Sequence, residues 1–121
     1  PGAHPIEDIT RALEAVGLGR LTVCLDQTLR WDRDIAFDDQ QLLAFARVWL
    51  HRPDWVVMDD AMSALGAATR RRVFALMQSL EGLSVIALSK AEDGDPFYTR
   101  TIALVRRNGE RKPGRNGRGR R

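Results

Sequence analysis

The chain has 121 residues, of which 44% are hydrophobic and 29% are charged, which suffices for the core of one modest domain. No apolar run is long enough to span a bilayer, no secretory signal is evident, and the single cysteine, Cys24, excludes a disulfide framework. The net charge of +3 hides two unlike regions, because residues 106–121 carry eight Lys or Arg and one Glu while the other 105 residues carry eleven basic and fifteen acidic side chains. We expect a mildly acidic cytoplasmic body and a disordered basic tail.

The first half of the chain predicts helices joined by short loops. Residues 6–16 place apolar side chains on one helical face, and two glycines follow them. Residues 21–29 are ambiguous and favour a short helix, and residues 31–34 form a polar approach to the next helix. That helix begins near Asp38 and ends at about Leu50, with Pro53 stopping it.

The second half alternates strands with a helix. Short apolar runs at residues 55–58, 84–88 and 101–105 predict three buried strands, and residues 67–80 predict an amphipathic helix between the first two. This order is typical of an α/β fold with parallel strands flanked by helices. The short apolar run at residues 55–58 predicts a central strand of a parallel sheet, buried on both faces. The first strand ends in two carboxylates, at the edge where open α/β sheets bind ligands. A magnesium–phosphate site would use carboxylates there.

The segment QQLLAFARVWLHRPDWVVMDDAMSALG, which starts at Gln40, resembles the signature-helix, Walker B and D-loop block of an ABC transporter ATPase domain. It is similar above all to bacterial fused permease–ATPase exporters related to the peroxisomal half-transporters. The resemblance covers about residues 6–105 and implies the C-terminal part of a P-loop NTPase fold. It divides the body into a helical and signature region, about residues 6–52, and a Walker B to H-loop region, about residues 53–105. A Walker A loop, GxxxxGK[ST], does not occur in the chain.

The resemblance assigns Asp59 to the Walker B position that holds Mg²⁺ and Asp60 to the position of the catalytic Glu. Asp is one methylene shorter than Glu, and a misplacement of about 1 Å can cost roughly 100-fold in rate. N-capping of the following helix by Asp60 or Ser63 is the structural alternative.

The degenerate signature, which corresponds to LSLGE and the next Gln, includes Ala36, Asp38, Asp39 and Gln40. In the family this helix start contacts the γ-phosphate held by the partner subunit. Here the serine hydroxyl is absent at Ala36, and Asp38 replaces the glycine. Asp38 and Gln41 fit a capping box, in which a side chain takes the amide donors that a phosphate would use.

Two further positions depart from the family pattern. Gly66 replaces the D-loop Asp, and Lys90 stands at the H-loop His position. With these departures and no Walker A loop, we expect Mg-ATP to be the cofactor of the family but not to be bound by this chain alone. His4 and His51 show no ligand-like neighbours in the sequence.

Three functions stay open at this point. The chain is the C-terminal portion of a transporter ATPase domain that is poor at hydrolysis, a non-enzymatic module that packs on a partner ATPase domain, or a polyanion binder acting through its basic tail. The first implies a transmembrane domain and a second ATPase domain as partners, at the cytoplasmic face of the inner membrane, and a homodimer is a further option. For the tail, a solvated terminus without a dedicated function is the competing interpretation.

Overall fold

The computed structural model describes residues 4–28, 30–89 and 96–104. Its elements follow in chain order: α1 (Ile6–Ala15), a 3₁₀-helix (Gly19–Cys24), α2 (Trp31–Asp34), α3 (Phe37–His51), β1 (Trp55–Asp59), α4 (Ala67–Gln78) and β2 (Ser84–Leu88). The two strands pair in parallel, with Trp55 opposite Ser84 and Asp59 opposite Leu88. A parallel sheet with helices between and before its strands is an α/β arrangement, as the sequence predicts.

The core lies between the inward face of the sheet and the three longer helices. It contains Leu13 and Val16 of the α1 region, Phe45 of α3, Met58 of β1 and Val73 of α4. Helix α1 ends because Gly17 adopts a φ of +84°, which side-chain-bearing residues rarely adopt. Helix α3 ends with Arg52 in the left-handed conformation just before Pro53, so the predicted stop is confirmed.

The prediction that the strands are buried on both faces is wrong. Side chains alternate along β1, so Met58 is only 5% exposed while Trp55 and Val57 are 64% and 67% exposed. Ile86 and Leu88 of β2 lie on the same side by register and are 47% and 48% exposed. We call these four residues the open sheet face, because the described helices pack only against the opposite side.

Three local predictions also differ from the structure. Residues 31–34 form a single helical turn, and residues 21–29 contribute a 3₁₀-helix that ends at Cys24. The predicted third strand at residues 101–105 is not formed in its described part, where residues 101–104 are exposed and have no regular structure. A strand needs a hydrogen-bonded neighbour, and in the described chain this segment has none.

Residues 96–104 approach the body through aromatic side chains. Phe97 stacks on Phe74 of α4 with ring centroids 4.2 Å apart, and Tyr98 meets both rings edge-on. Offset and edge-to-face aromatic pairs of this kind add stabilisation beyond their buried area. Lys90, Val105 and the basic tail at residues 106–121 lie outside the described residues.

Candidate functional site

The carboxylates that end β1 open into a small cavity. Asp59 is the last strand residue, Asp60 follows it in a turn, and with Leu88 and Ser89 they line a cavity of about 140 Å³. We call this the strand-end cavity. The parallel register creates it, because the carboxyl ends of β1 and β2 meet at one edge of the sheet. The structure thus brings the predicted metal position next to the residue that precedes Lys90.

The cavity suits a hard cation only in part. Both carboxylates are exposed, and neither forms an ion pair within residues 4–28, 30–89 and 96–104. Oxygen ligands match the preference of Mg²⁺, which commonly binds one or two carboxylates, several waters and substrate phosphates. Asp59 and Asp60 would be the protein ligands of such an ion, and Mg²⁺ would neutralise charge on phosphate oxygens. No described cluster of three or more His, Cys, Asp or Glu could hold a metal by itself.

Asp60 has an unusual backbone. Its φ is +51°, which is uncommon for a residue other than glycine, although Asp and Asn tolerate it better than most. Its amide donates to the Leu88 carbonyl at 3.2 Å, extending the strand pairing by one residue. Neither Asp60 nor Ser63 caps α4, because that helix begins at Ala67 with Gly66 at the N-cap position and no side-chain cap. The predicted N-capping role of these two residues is wrong.

The degenerate signature forms the start of α3, but the predicted capping box is wrong. The helix begins at Phe37, so Ala36 is the N-cap and Asp38 already lies in the first turn. The Asp38 carboxylate accepts from the amide of Asp39 at 3.0 Å, and no side chain caps the helix. Gln40 instead donates its side-chain N–H to the Ile35 carbonyl at 2.9 Å. A cap must precede the first helical residue, and the methyl group of Ala36 accepts no hydrogen bond.

An ion pair joins Asp39 to the 3₁₀-helix. Arg20 donates a hydrogen bond to the Asp39 carboxylate, whose side chain is only 14% exposed. This hydrogen bond, followed by the Coulombic attraction of Asp39, raises the pKa of Arg20 above its ordinary value. The first turn of α3 therefore carries an anion that is already paired with Arg20.

Gln41 links α3 to the loop after β1, and sequence reasoning missed this role. Its side-chain oxygen accepts from the Ala64 amide at 3.0 Å, and its side-chain nitrogen donates to the Ser63 hydroxyl at 3.1 Å. The donor also approaches the Asp60 carbonyl at 3.5 Å. A glutamine in the second turn of a polar helix start carries no local signal for such contacts, since its partners lie 19 to 23 residues away.

The two histidines are neighbours, contrary to expectation. His4 Nε2 lies 3.4 Å from His51 Nδ1, and the rings meet edge-on with centroids 4.9 Å apart. The contact joins His4, just before α1, to His51 in the last turn of α3. No hydrophobic pattern predicts such a pair between exposed ends.

The chain is similar in sequence to known ABC transporter proteins. The chain is 29% identical to ABC transporter D family member 2, chloroplastic, of Arabidopsis thaliana over 101 residues. This alignment covers 81% of the chain and 14% of the relative. The chain is 30% identical over 108 residues to the human lysosomal cobalamin transporter ABCD4, which covers 85% of the chain and 18% of that protein. The inner membrane ABC transporter ATP-binding protein YddA of Escherichia coli K12 is 30% identical over 76 residues, 61% of the chain and 14% of the relative.

The homologues of this chain are ABC transporter ATP-binding proteins. The chain spans less than a fifth of the length of these three relatives. No protein-family profile and no solved structure matches it. Within the part of the chain that the structure describes, no helix has the length and apolar character to cross a bilayer.

Proposed function

We propose that this chain is the C-terminal portion of an ABC transporter ATP-binding domain and that it hydrolyses ATP poorly or not at all by itself. The strand-end cavity carries the proposal: Asp59 ends a parallel strand and Asp60 follows it, at the edge where Ser89 follows the neighbouring strand. Asp59 would provide the metal position and Asp60 the place of the catalytic carboxylate. Lys90 would stand where the family has its switch histidine.

The open sheet face supports the proposal that this is part of a domain. Parallel sheets are normally covered on both faces, and here Trp55 and Val57 are about two-thirds exposed. A polypeptide carrying the Walker A loop would cover this face and supply the phosphate contacts that these 121 residues do not encode. The complete protein would then contain a transmembrane domain and act at the cytoplasmic side of the inner membrane, together with a second ATPase domain.

Three substitutions support weak activity. Asp60 carries its carboxylate one methylene closer to the backbone than a Glu would, Asp38 adds negative charge to the first turn of α3, and Gly66 has no side chain at the D-loop position. An anion at a helix N-terminus satisfies the dipole that would otherwise attract phosphate. The fold is thereby retained while the groups that bind and split a triphosphate are weakened.

A second candidate is a non-enzymatic module that packs on a partner ATPase domain, and the open sheet face favours it as well. The two proposals differ in what the reading frame encodes. We expect a Walker A motif upstream of Pro1 in the same frame, and a start codon directly before Pro1 would favour the module.

Calorimetric titration of the purified 121-residue chain with Mg-ATP, together with a phosphate-release assay, tests the activity. We expect no binding tighter than about 1 mM, since one metal position without phosphate contacts gives only a few kcal/mol. Micromolar Mg-ATP binding and turnover that are both lost in Asp59→Ala would refute the proposed inactivity. Asp54→Ala, which changes an exposed carboxylate at the opposite end of β1, is the matched control.

A further inference from the structure

Both the oxygen and the nitrogen of the Gln41 side-chain amide form hydrogen bonds to the loop between β1 and α4. The backbone amide of Ala64 can only donate, so the side-chain oxygen must face it, which it does at 3.0 Å. The side-chain nitrogen then points at the Ser63 hydroxyl, 3.1 Å away, and at the Asp60 carbonyl, 3.5 Å away. The orientation of the amide is therefore set by its partners. The Gln41 side chain thus contacts three residues of the loop between β1 and α4.

These contacts act on the strained residue of the strand-end cavity. Asp60 has a φ of +51°, and a left-handed conformation at a residue other than glycine persists only where the surrounding structure holds it. Its backbone is held on both sides: its N–H donates to the Leu88 carbonyl of β2, and its carbonyl faces the side-chain nitrogen of Gln41. The strand pairing and Gln41 together therefore set the direction in which the Asp60 carboxylate leaves the backbone.

The same helix turn also carries the degenerate signature. Asp39, two residues before Gln41, is held by Arg20, so the start of α3 is fixed from the opposite side. One helical turn connects the two contacts, so a shift of the α3 start reaches the loop through Gln41 as well as through the apolar core.

We propose that Gln41 is a positioning residue that couples the signature-helix start to the carboxylates of the strand-end cavity within this chain. This rests on the proposed function, because it gives meaning to the two positions that are coupled. The coupling itself is a property of the loop and needs no nucleotide. It makes the geometry of Asp60 depend on the position of the α3 start.

Solution NMR of the full 121-residue chain tests the coupling with two local observables. The intraresidue nuclear Overhauser effect between the amide and α protons of Asp60 is strongest at a positive φ, and amide hydrogen exchange of Ala64 reports its bond to Gln41. In Gln41→Ala we expect the Ala64 amide to exchange up to about tenfold faster and the Asp60 Overhauser effect to weaken. Gln78→Ala removes an exposed glutamine from α4 and should change neither.

The conservative variant Gln41→Glu separates the two ends of the side chain. It keeps an acceptor for Ala64 but loses the donor for Ser63 and Asp60, so Ala64 should stay protected while the Asp60 Overhauser effect weakens. If Gln41→Ala does not fold, Gln41→Glu decides by the same two observables. An unchanged Asp60 Overhauser effect in either variant overturns the proposal. A uniform acceleration of exchange at all amides also overturns it, since it indicates a general loss of stability.

A double-mutant cycle tests transmission along the helix. Asp39→Asn weakens the ion pair with Arg20 and should shift the Asp60 amide resonance when Gln41 is present. In the Gln41→Ala background that shift should fall by at least half. Equal shifts in both backgrounds refute the coupling. Micromolar Mg-ATP binding with turnover would refute the proposed inactivity without changing these shifts, so failure of the proposed function stays distinguishable.

Discussion

Substituting two adjacent residues of β1 tests how much each face of the sheet contributes to the free energy of unfolding. Met58 is 5% exposed in the core, whereas Val57 is 67% exposed on the open sheet face. Truncating a buried methionine to alanine costs about 2–5 kcal/mol. Val57→Ala removes two methyl groups that are only about one-third buried, so the burial term is about 0.5 kcal/mol and the lower strand propensity adds a few tenths.

Urea denaturation of the two variants, followed by tryptophan fluorescence and circular dichroism, measures the difference. We expect Met58→Ala to lower the free energy of unfolding at least threefold more than Val57→Ala. Sedimentation at the same concentration must show a monomer, because self-association would cover the open face. If Val57→Ala is as destabilising as Met58→Ala in a monomer, the sheet is covered on both sides and the proposal of an incomplete domain fails.

Three further predictions concern helix ends and the ion pair. Gly17→Ala should lower the free energy of unfolding by about 1–2 kcal/mol, because Gly17 has a φ of +84° and the added Cβ would lie 2.6 Å from Arg72 Nη1. Gly82→Ala is the control, since Gly82 also has a positive φ but open space around it. The difference between the two variants in thermal unfolding measures the cost of the contact with Arg72. Asp38→Asn should cost only about 0.3–1 kcal/mol of helix-dipole stabilisation in a melting experiment, and a loss near 2 kcal/mol would restore Asp38 as a cap. Hydrogen bonding to Asp39 raises the pKa of Arg20, so the stabilisation by the ion pair is present below the ordinary pKa of Arg20 and is lost only as the pH rises through the raised value. The free energy of unfolding should therefore not change near neutral pH through titration of Arg20. Added salt should lower the contribution of this ion pair in the wild type, and Arg20→Gln, which lacks the pair, should not show that loss.

The sequence predicted the elements whose signals are local. The helix bounds at α3 and the strands β1 and β2 agree with the structure to within about one residue, because apolar periodicity and Pro53 define them. The position of the two carboxylates at a sheet edge followed from the same pattern. The resemblance to ABC transporter ATPase domains was inferred from the sequence matches in the segment that starts at Gln40.

The errors arise where distant contacts decide the structure. Burial of β1 on both faces was inferred from its composition, but exposure depends on which helices cover the sheet. The capping box failed because the N-cap of α3 is Ala36, two residues before Asp38, which leaves Asp38 inside the helix. Gln41 and the histidine pair gave no signal, because their partners are far away along the chain.

The stacked rings of Phe74 and Phe97 join α4 to residues 96–104, a segment that has no regular secondary structure of its own. Tyr98 meets both rings edge-on, so three aromatic side chains form this attachment. Removing the ring at position 74 would weaken the hold of α4 on residues 96–104 while leaving the pairing of β1 with β2 in place. The attachment of this segment can therefore be changed separately from the sheet.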